Sequence, residues 1–231
     1  MTSSTSRRLS RTFESKTFRL TRDESPALSV SVDGDEDLAI RELLKKQLEN
    51  SSLLRLKTYE YPAYGNVRII HKTFTLSRQG GNGRFSDKKQ GAWYCSGDHN
   101  TAIDEVAYQH MRKMDFRKGK KPGTYNGVYT DEPVYRELFA DITGNFYHTE
   151  LPRDKDVLGK NPDTAYSKGQ KLAHEIVKKG GQGIVYPSVR RSGGVCLAVF
   201  DPEAIQNVRL GARWKIIWNR SRKYKTKRLE S

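Results

Sequence analysis

The segment from Asn161 to Gly183, NPDTAYSKGQKLAHEIVKKGGQG, carries the strongest local signal in the chain. Pro162 and Asp163 open it, Lys178 and Lys179 sit in its last turn, and Gly180 and Gly181 end it. That is the punctuation of a helix. Ala165, Tyr166, Gly169, Ala173, Ile176 and Val177 form its apolar face. Three short apolar runs follow, IVYPSV, VCLAVF and WKIIW, each of strand length and rich in β-branched or aromatic residues. A helix followed by consecutive strands does not repeat as a βαβ unit, so the pattern predicts an α+β fold.

Upstream, FRLTRDE from Phe18 predicts the first ordered strand. DEDLAIRELLKKQLEN predicts a helix, and NVRIIHKTFTL, which alternates, a strand. AWYC is a short apolar strand between Gly91 and the SGDHN turn. Asn100 or Thr101 then caps a helix through AIDEVAYQHMRK. GKKPGTYNG is a loop and VYRELFAD a strand. The start, MTSSTSRRLSRTFESKT, has the composition of a disordered tail, and of a transit peptide or secretion leader. The layout is one domain over 17–218, with a tail at 1–16 and a basic tail at 219–231.

At 231 residues the chain can bury a core without disulfides or metal. No apolar run approaches the roughly 18 residues of a membrane span. Cys95 and Cys196 each lie in an apolar run and read as buried thiols of a reducing compartment, which favours a cytoplasmic protein. No cysteine or histidine spacing suggests zinc. The formal charge is +15, of which residues 219–231 carry +5 (six basic residues against Glu230) and residues 1–17 carry +3. The rest is thinly spread. A basic body suits a phosphate-bearing substrate; the alternative on charge is a non-enzymatic nucleic-acid-binding protein, against which the basic residues collect in the tails and no binding motif appears.

Several enzyme signatures fail. GGNGRFS lacks the Gly-Lys-Ser/Thr ending of a P-loop and the third glycine of a dinucleotide fingerprint. HEIVKK has no second histidine one turn on, and no G-x-S-x-G elbow exists. Four polar residues remain on short, well-bounded elements. Arg84 follows glycines that would let backbone approach a ligand, and its guanidinium matches phosphate or carboxylate. Tyr94 in the apolar strand offers a ring that could flank a flat base. Glu105 sits in the second turn of a helix, and Ser188 between a strand and a glycine turn. Taken singly, each is as well explained by structure as by function.

Together, GRF, WYCSGDHNTAIDEVAYQHMR and IVYPSVRRSGGVCLAVFDPEAI resemble the RES-domain family, named for Arg, Glu and Ser; the resemblance runs over about residues 17–218. It implies a single ADP-ribosyltransferase-like domain with a mixed, strongly twisted sheet flanked by helices. The implied activity is that of a toxin that degrades NAD by hydrolysis or phosphorolysis. NAD is then substrate rather than cofactor, with inorganic phosphate as a potential co-substrate. The implied partner is an Xre-type helix-turn-helix antitoxin or another immunity protein, and a homodimer is left open. Some relatives instead transfer ADP-ribose to a protein. By this resemblance Arg84, Tyr94, Glu105 and Ser188 fall on functional positions.

The chemistry is coherent with those residues. Breaking the nicotinamide–ribose bond gives an oxocarbenium-like ribose, and the leaving group, already cationic, needs no general acid. One carboxylate, Glu105, can stabilise that cation. Arg84 would grip the pyrophosphate and Tyr94 flank the nicotinamide end, while Arg190 is a further candidate for phosphate contact. Ser188 would bind substrate or position Glu105. Two features depart from the family pattern: Asn82 is inserted in GGNGRF, and the tails are long.

Overall fold

A computed structural model describes residues 12–23, 60–80, 82–120, 131–150, 153–159, 162–218 and 222–230. The helix expected over DEDLAIRELLKKQLEN lies outside the described residues. The elements run β1 (Thr12–Arg22), α1 (Glu60–Gly80), β2 (Trp93–Ser96), α2 (His99–Arg117), β3 (Val134–His148), α3 (Pro162–Lys178), β4 (Gly183–Pro187), β5 (Val195–Val199), β6 (Ile205–Trp218) and β7 (Tyr224–Leu229).

The strands form one mixed sheet in the order β1-β2-β5-β4-β3-β6-β7, and β1 also pairs antiparallel with β3 along its whole length. That extra pairing closes a ring, β1-β2-β5-β4-β3 and back to β1. The link from β3 to β4 is parallel, the others antiparallel. With three described helices packed around a seven-stranded sheet, the fold class is the expected α+β.

Alternation along β2 and β5 divides the interior. Trp93, Cys95, Leu197 and Val199 join Ile70, Phe74, Leu138 and Ile142 in one apolar cluster. Cys196 and Ala198 face the other way, into a cluster with Phe85, Leu172, Ile176 and Ile184, and Tyr94 packs against it. Both cysteines are buried free thiols, as the sequence suggested. A third cluster, with Leu20, Ala107, Ile216 and Trp218, seats α2.

Four expectations need correcting. NVRIIHKTFTL is helical, as part of α1. Its Val67, Ile70 and Phe74 recur at helical spacing and are buried, so packing on the sheet overrides the β-preference of its branched residues. β1 begins at Thr12, not near Phe18, so Thr12–Lys16 is strand rather than tail. Eleven consecutive pairs with β3 hold it, and Phe13 packs against Phe146. At the other end, Tyr224–Leu229 of the basic tail pairs with β6 in continuous register, Trp218 opposite Tyr224. In α3, Val177 is exposed although the rest of the expected apolar face is buried.

Gly169 belongs to that face for a specific reason. A β-carbon there would lie 2.2 Å from the Arg84 carbonyl oxygen and 3.3 Å from the Phe85 ring. The helix can approach the Arg84 loop only because that carbon is missing. In an unobstructed helix Gly→Ala would stabilise by about 1 kcal/mol. Here Gly169→Ala should instead lower stability by about 1–3 kcal/mol through overpacking, read as a fall in the urea midpoint.

Candidate active site

The loop after α1 and the strand β2 are joined by one hydroxyl. Tyr94 Oη accepts from the Phe85 amide at 2.9 Å and is 3.0 Å from Ser86 Oγ. A β-carbon on Gly83 would fall 2.6 Å from Tyr94 Oη and 2.2 Å from Ser86 Oγ, so this glycine makes room for the tyrosine. The loop is held from the other side by Gln170, whose amide donates to the carbonyls of Gly83 and Ser86. Arg84 is therefore presented from a fixed backbone. Its guanidinium is buried, donates to the carbonyls of Val157 (2.5 Å) and Gly159 (3.1 Å), and lies 5.4 Å from the centre of the Tyr166 ring.

Glu105 comes from α2. The helix is capped not by Asn100 or Thr101 but by Asp98, whose carboxylate accepts from the Thr101 amide at 2.9 Å and from its hydroxyl at 2.5 Å. Burial works against ionisation of Asp98, but the Thr101 hydrogen bonds prevail and hold its carboxyl below the usual carboxylate range. This cap starts the helix directly after β2, which puts Glu105 on the second turn.

Ser188 lies 83 residues away in sequence, in the turn between β4 and β5. Its Oγ donates to Glu105 Oε1 at 2.7 Å and accepts from the amides of Arg190 and Arg191, both at 3.1 Å. Ser188 is thus in direct hydrogen-bond contact with Glu105. Cys196 Sγ lies 3.7 Å from the same carboxylate oxygen. Burial, reinforced by the charge of Glu105, pushes its thiol far above the ordinary range, so it stays protonated and donates. Burial likewise pushes the Tyr94 phenol up to about 12.

Arg84, Tyr94, Glu105, Arg190 and Cys196 line one cavity of about 240 Å³. Ser188 reaches it through Glu105. Two lining residues escaped the sequence reading in their role. Arg19 was visible only as the cation inside the FRL strand. It donates to the Tyr94 carbonyl at 2.7 Å and lies over Trp93, yet its Nε has no partner among the described residues. Desolvation lowers its pKa from 12.5 to about 10. Tyr166, read as a core residue of α3, has the guanidiniums of Arg84 and Arg112 5.4 and 5.2 Å from its ring centre. Arg190 stacks on Tyr108 at 3.3 Å, and its buried Nε is also unpartnered among the described residues.

The lining therefore holds three arginines, Arg19, Arg84 and Arg190, against one carboxylate, Glu105. Such a site favours an anion and can place one negative charge against a cation forming beside it. No group of three or more histidine, cysteine or acidic side chains suited to a metal occurs among the described residues. No helix there is long and apolar enough to cross a membrane.

Tyr94→Phe removes the hydroxyl but keeps the ring. With the Phe85 amide left without its acceptor, stability should fall by about 1–3 kcal/mol. Faster hydrogen exchange at the Phe85 amide, alongside the denaturation midpoint, checks that the loss lies in this loop.

None of the curated proteins matches the chain. Among solved structures, similarity is found to a chain in the crystal structure of the M. tuberculosis MbcT–MbcA toxin–antitoxin complex. It is 16% identical, covers 87% of this chain and 83% of that one, and has a TM-score of 0.45. The model of the RES domain matches residues 55–219, well over half of the sequence and inclusive of Arg84, Tyr94, Glu105, Ser188 and Arg190. The chain belongs to the RES-domain family.

Proposed function

We propose that this protein is a toxin enzyme that cleaves the nicotinamide–ribose bond of NAD and is neutralised by an antitoxin partner. The observation that carries the reading is the charge pattern of the cavity: three arginines, two with a buried N–H that has no partner among the described residues, line it together with a single carboxylate held by Ser188. Membership of the RES family supports NAD as the anion.

In this reading Arg19, Arg84 and Arg190 bind the pyrophosphate, and binding energy remote from the scissile bond fixes its orientation. Tyr94 and Tyr166 flank the nicotinamide end. The C–N bond breaks with its electron pair going to the ring nitrogen, which neutralises the nicotinamide. Glu105 stabilises the positive charge left on the ribose. An oxygen of water or of inorganic phosphate then bonds to the anomeric carbon; attack by water also releases a proton to solvent. Ser188 and Cys196 donate to Glu105, fixing the carboxylate before charge develops. The reaction would run in the cytoplasm, of the producing cell or of a target cell.

Purified protein should release nicotinamide from NAD. Free ADP-ribose as co-product marks hydrolysis, and its 1″-phosphate, formed only with phosphate present, marks phosphorolysis. Label from NAD appearing on a protein of a lysate would instead identify a transferase. NAD left intact under all three conditions refutes the proposal.

Glu105→Gln keeps the shape and removes the charge. It should lower kcat by roughly 10²–10³-fold, the usual cost of losing a preorganised electrostatic group. An unchanged circular dichroism spectrum and melting curve would show that the loss is chemical. Ser188→Ala should cost less, roughly tenfold in kcat, because it removes one donor and leaves the charge.

A further inference from the structure

The matched family segment ends at residue 219, and β7 follows it. This strand and the residues just before it touch the catalytic helix at two places. Arg222, just before β7, places its guanidinium 3.3–3.4 Å from the carboxylate of Asp115, which is fully buried. Tyr224 packs its ring against Trp218 and donates its hydroxyl to Asp104 Oδ1. Asp104 and Asp115 are eleven residues apart on α2, three helical turns, and so share one face. Arg222 and Tyr224 together hold that face at both ends.

The contact at Asp104 continues toward the cavity. Asp104 Oδ2 accepts from Arg191 Nη1 at 3.1 Å, and the Arg191 amide donates to Ser188 Oγ. Ser188 Oγ in turn donates to Glu105. Four consecutive hydrogen bonds thus lead from a C-terminal tyrosine to the catalytic carboxylate. An exposed Asp–Arg pair taken by itself contributes little to stability. This one is held at one end by a phenol and ends at the other in the turn that orients Glu105. Burial first, and then the hydrogen bond to Asp104 and its charge, push the Tyr224 phenol far above its ordinary range, so it remains a donor at physiological pH.

We infer that Tyr224, Asp104 and Arg191 are positioning residues that set the orientation of Glu105 through the Ser188 turn. A strand outside the matched family segment then governs turnover at the site. The inference rests on the proposed NAD cleavage only for its kinetic readout.

The test compares the full chain with Tyr224→Phe, which keeps the ring on Trp218, and with Asp104→Asn, which keeps the side-chain size. Lys227→Ala, on an exposed residue of the same strand, is the control. With NAD as substrate, both variants should lose roughly fivefold to tenfold in kcat with KM changed less than about twofold, and the control should match wild type. Without substrate, the amides of Arg190 and Arg191 should exchange faster in both variants, with Asp104→Asn the larger effect. Arg191→Lys should retain more of kcat than Arg191→Met. Wild-type kcat in Tyr224→Phe and Asp104→Asn overturns the inference, as does a loss of kcat matched by a lowered melting temperature and a raised KM. If the wild-type protein leaves NAD intact, the proposed activity fails by itself. Amide exchange then decides this inference, unchanged rates overturning it and faster rates supporting it.

Discussion

The pairing of β2 with β5 is the constraint on which the rest of the molecule depends. Trp93 lies opposite Val199, Tyr94 opposite Ala198, and Ser96 opposite Cys196. In a strand the side-chain period is two, so a slip of one residue would exchange the faces. Tyr94 would turn away from the Arg84 loop and Trp93 would enter the cavity. The same register fixes what is attached to each strand. β2 leads within two residues to the Asp98 cap and so places Glu105. β5 carries Cys196 and is joined to β4 by the turn that holds Ser188. Large apolar side chains on one face, Trp93, Leu197 and Val199, make the correct register the one that buries them.

The cavity shows the cost that usually accompanies such a site. Arg19 is a cation set among Trp93, Tyr94 and the strand backbone, with no carboxylate paired to it among the described residues. Burial lowers its pKa to about 10, and one hydrogen bond and the face of Trp93 offset part of the desolvation. Arg84 is different, because its hydrogen bonds to the Val157 and Gly159 carbonyls also tie down the 153–159 turn.

What could be read from the sequence divides along the same line. α3, β4 and β5 were legible because their signals are local: a capped apolar stripe, then short apolar runs between glycines. Of the candidate site, Ser188 and Arg190 lie directly beside β4, whereas Arg84, Tyr94 and Glu105 stand in the glycine loop, β2 and α2, whose bounds are also marked by local signals. α1 was not, since its branched residues alternate and also recur at three and four, and only the sheet beneath them selects the helix. Arg19 was invisible as a site residue because its neighbours Phe18 and Leu20 marked the segment simply as strand. Nothing local says that β1 crosses β2 at Phe18 and Ser96.

β7 is the instructive failure. Its sequence YKTKRL places lysines at alternate positions, and charge of one sign near a terminus ordinarily marks a solvated tail. Yet lysine is also what protects an exposed edge strand from pairing with another chain. The two readings differ only in whether something lies opposite, and the partner, β6, is itself a long strand with Trp214, Ile216 and Trp218 on its inner face. Those residues place Tyr224 on Trp218 and Thr226 opposite Ile216, so the pattern hidden under the charge is Tyr-x-Thr, a β-forming pair on one face. Composition counts charges and cannot see that face. The hydroxyl on it is the one that reaches Asp104.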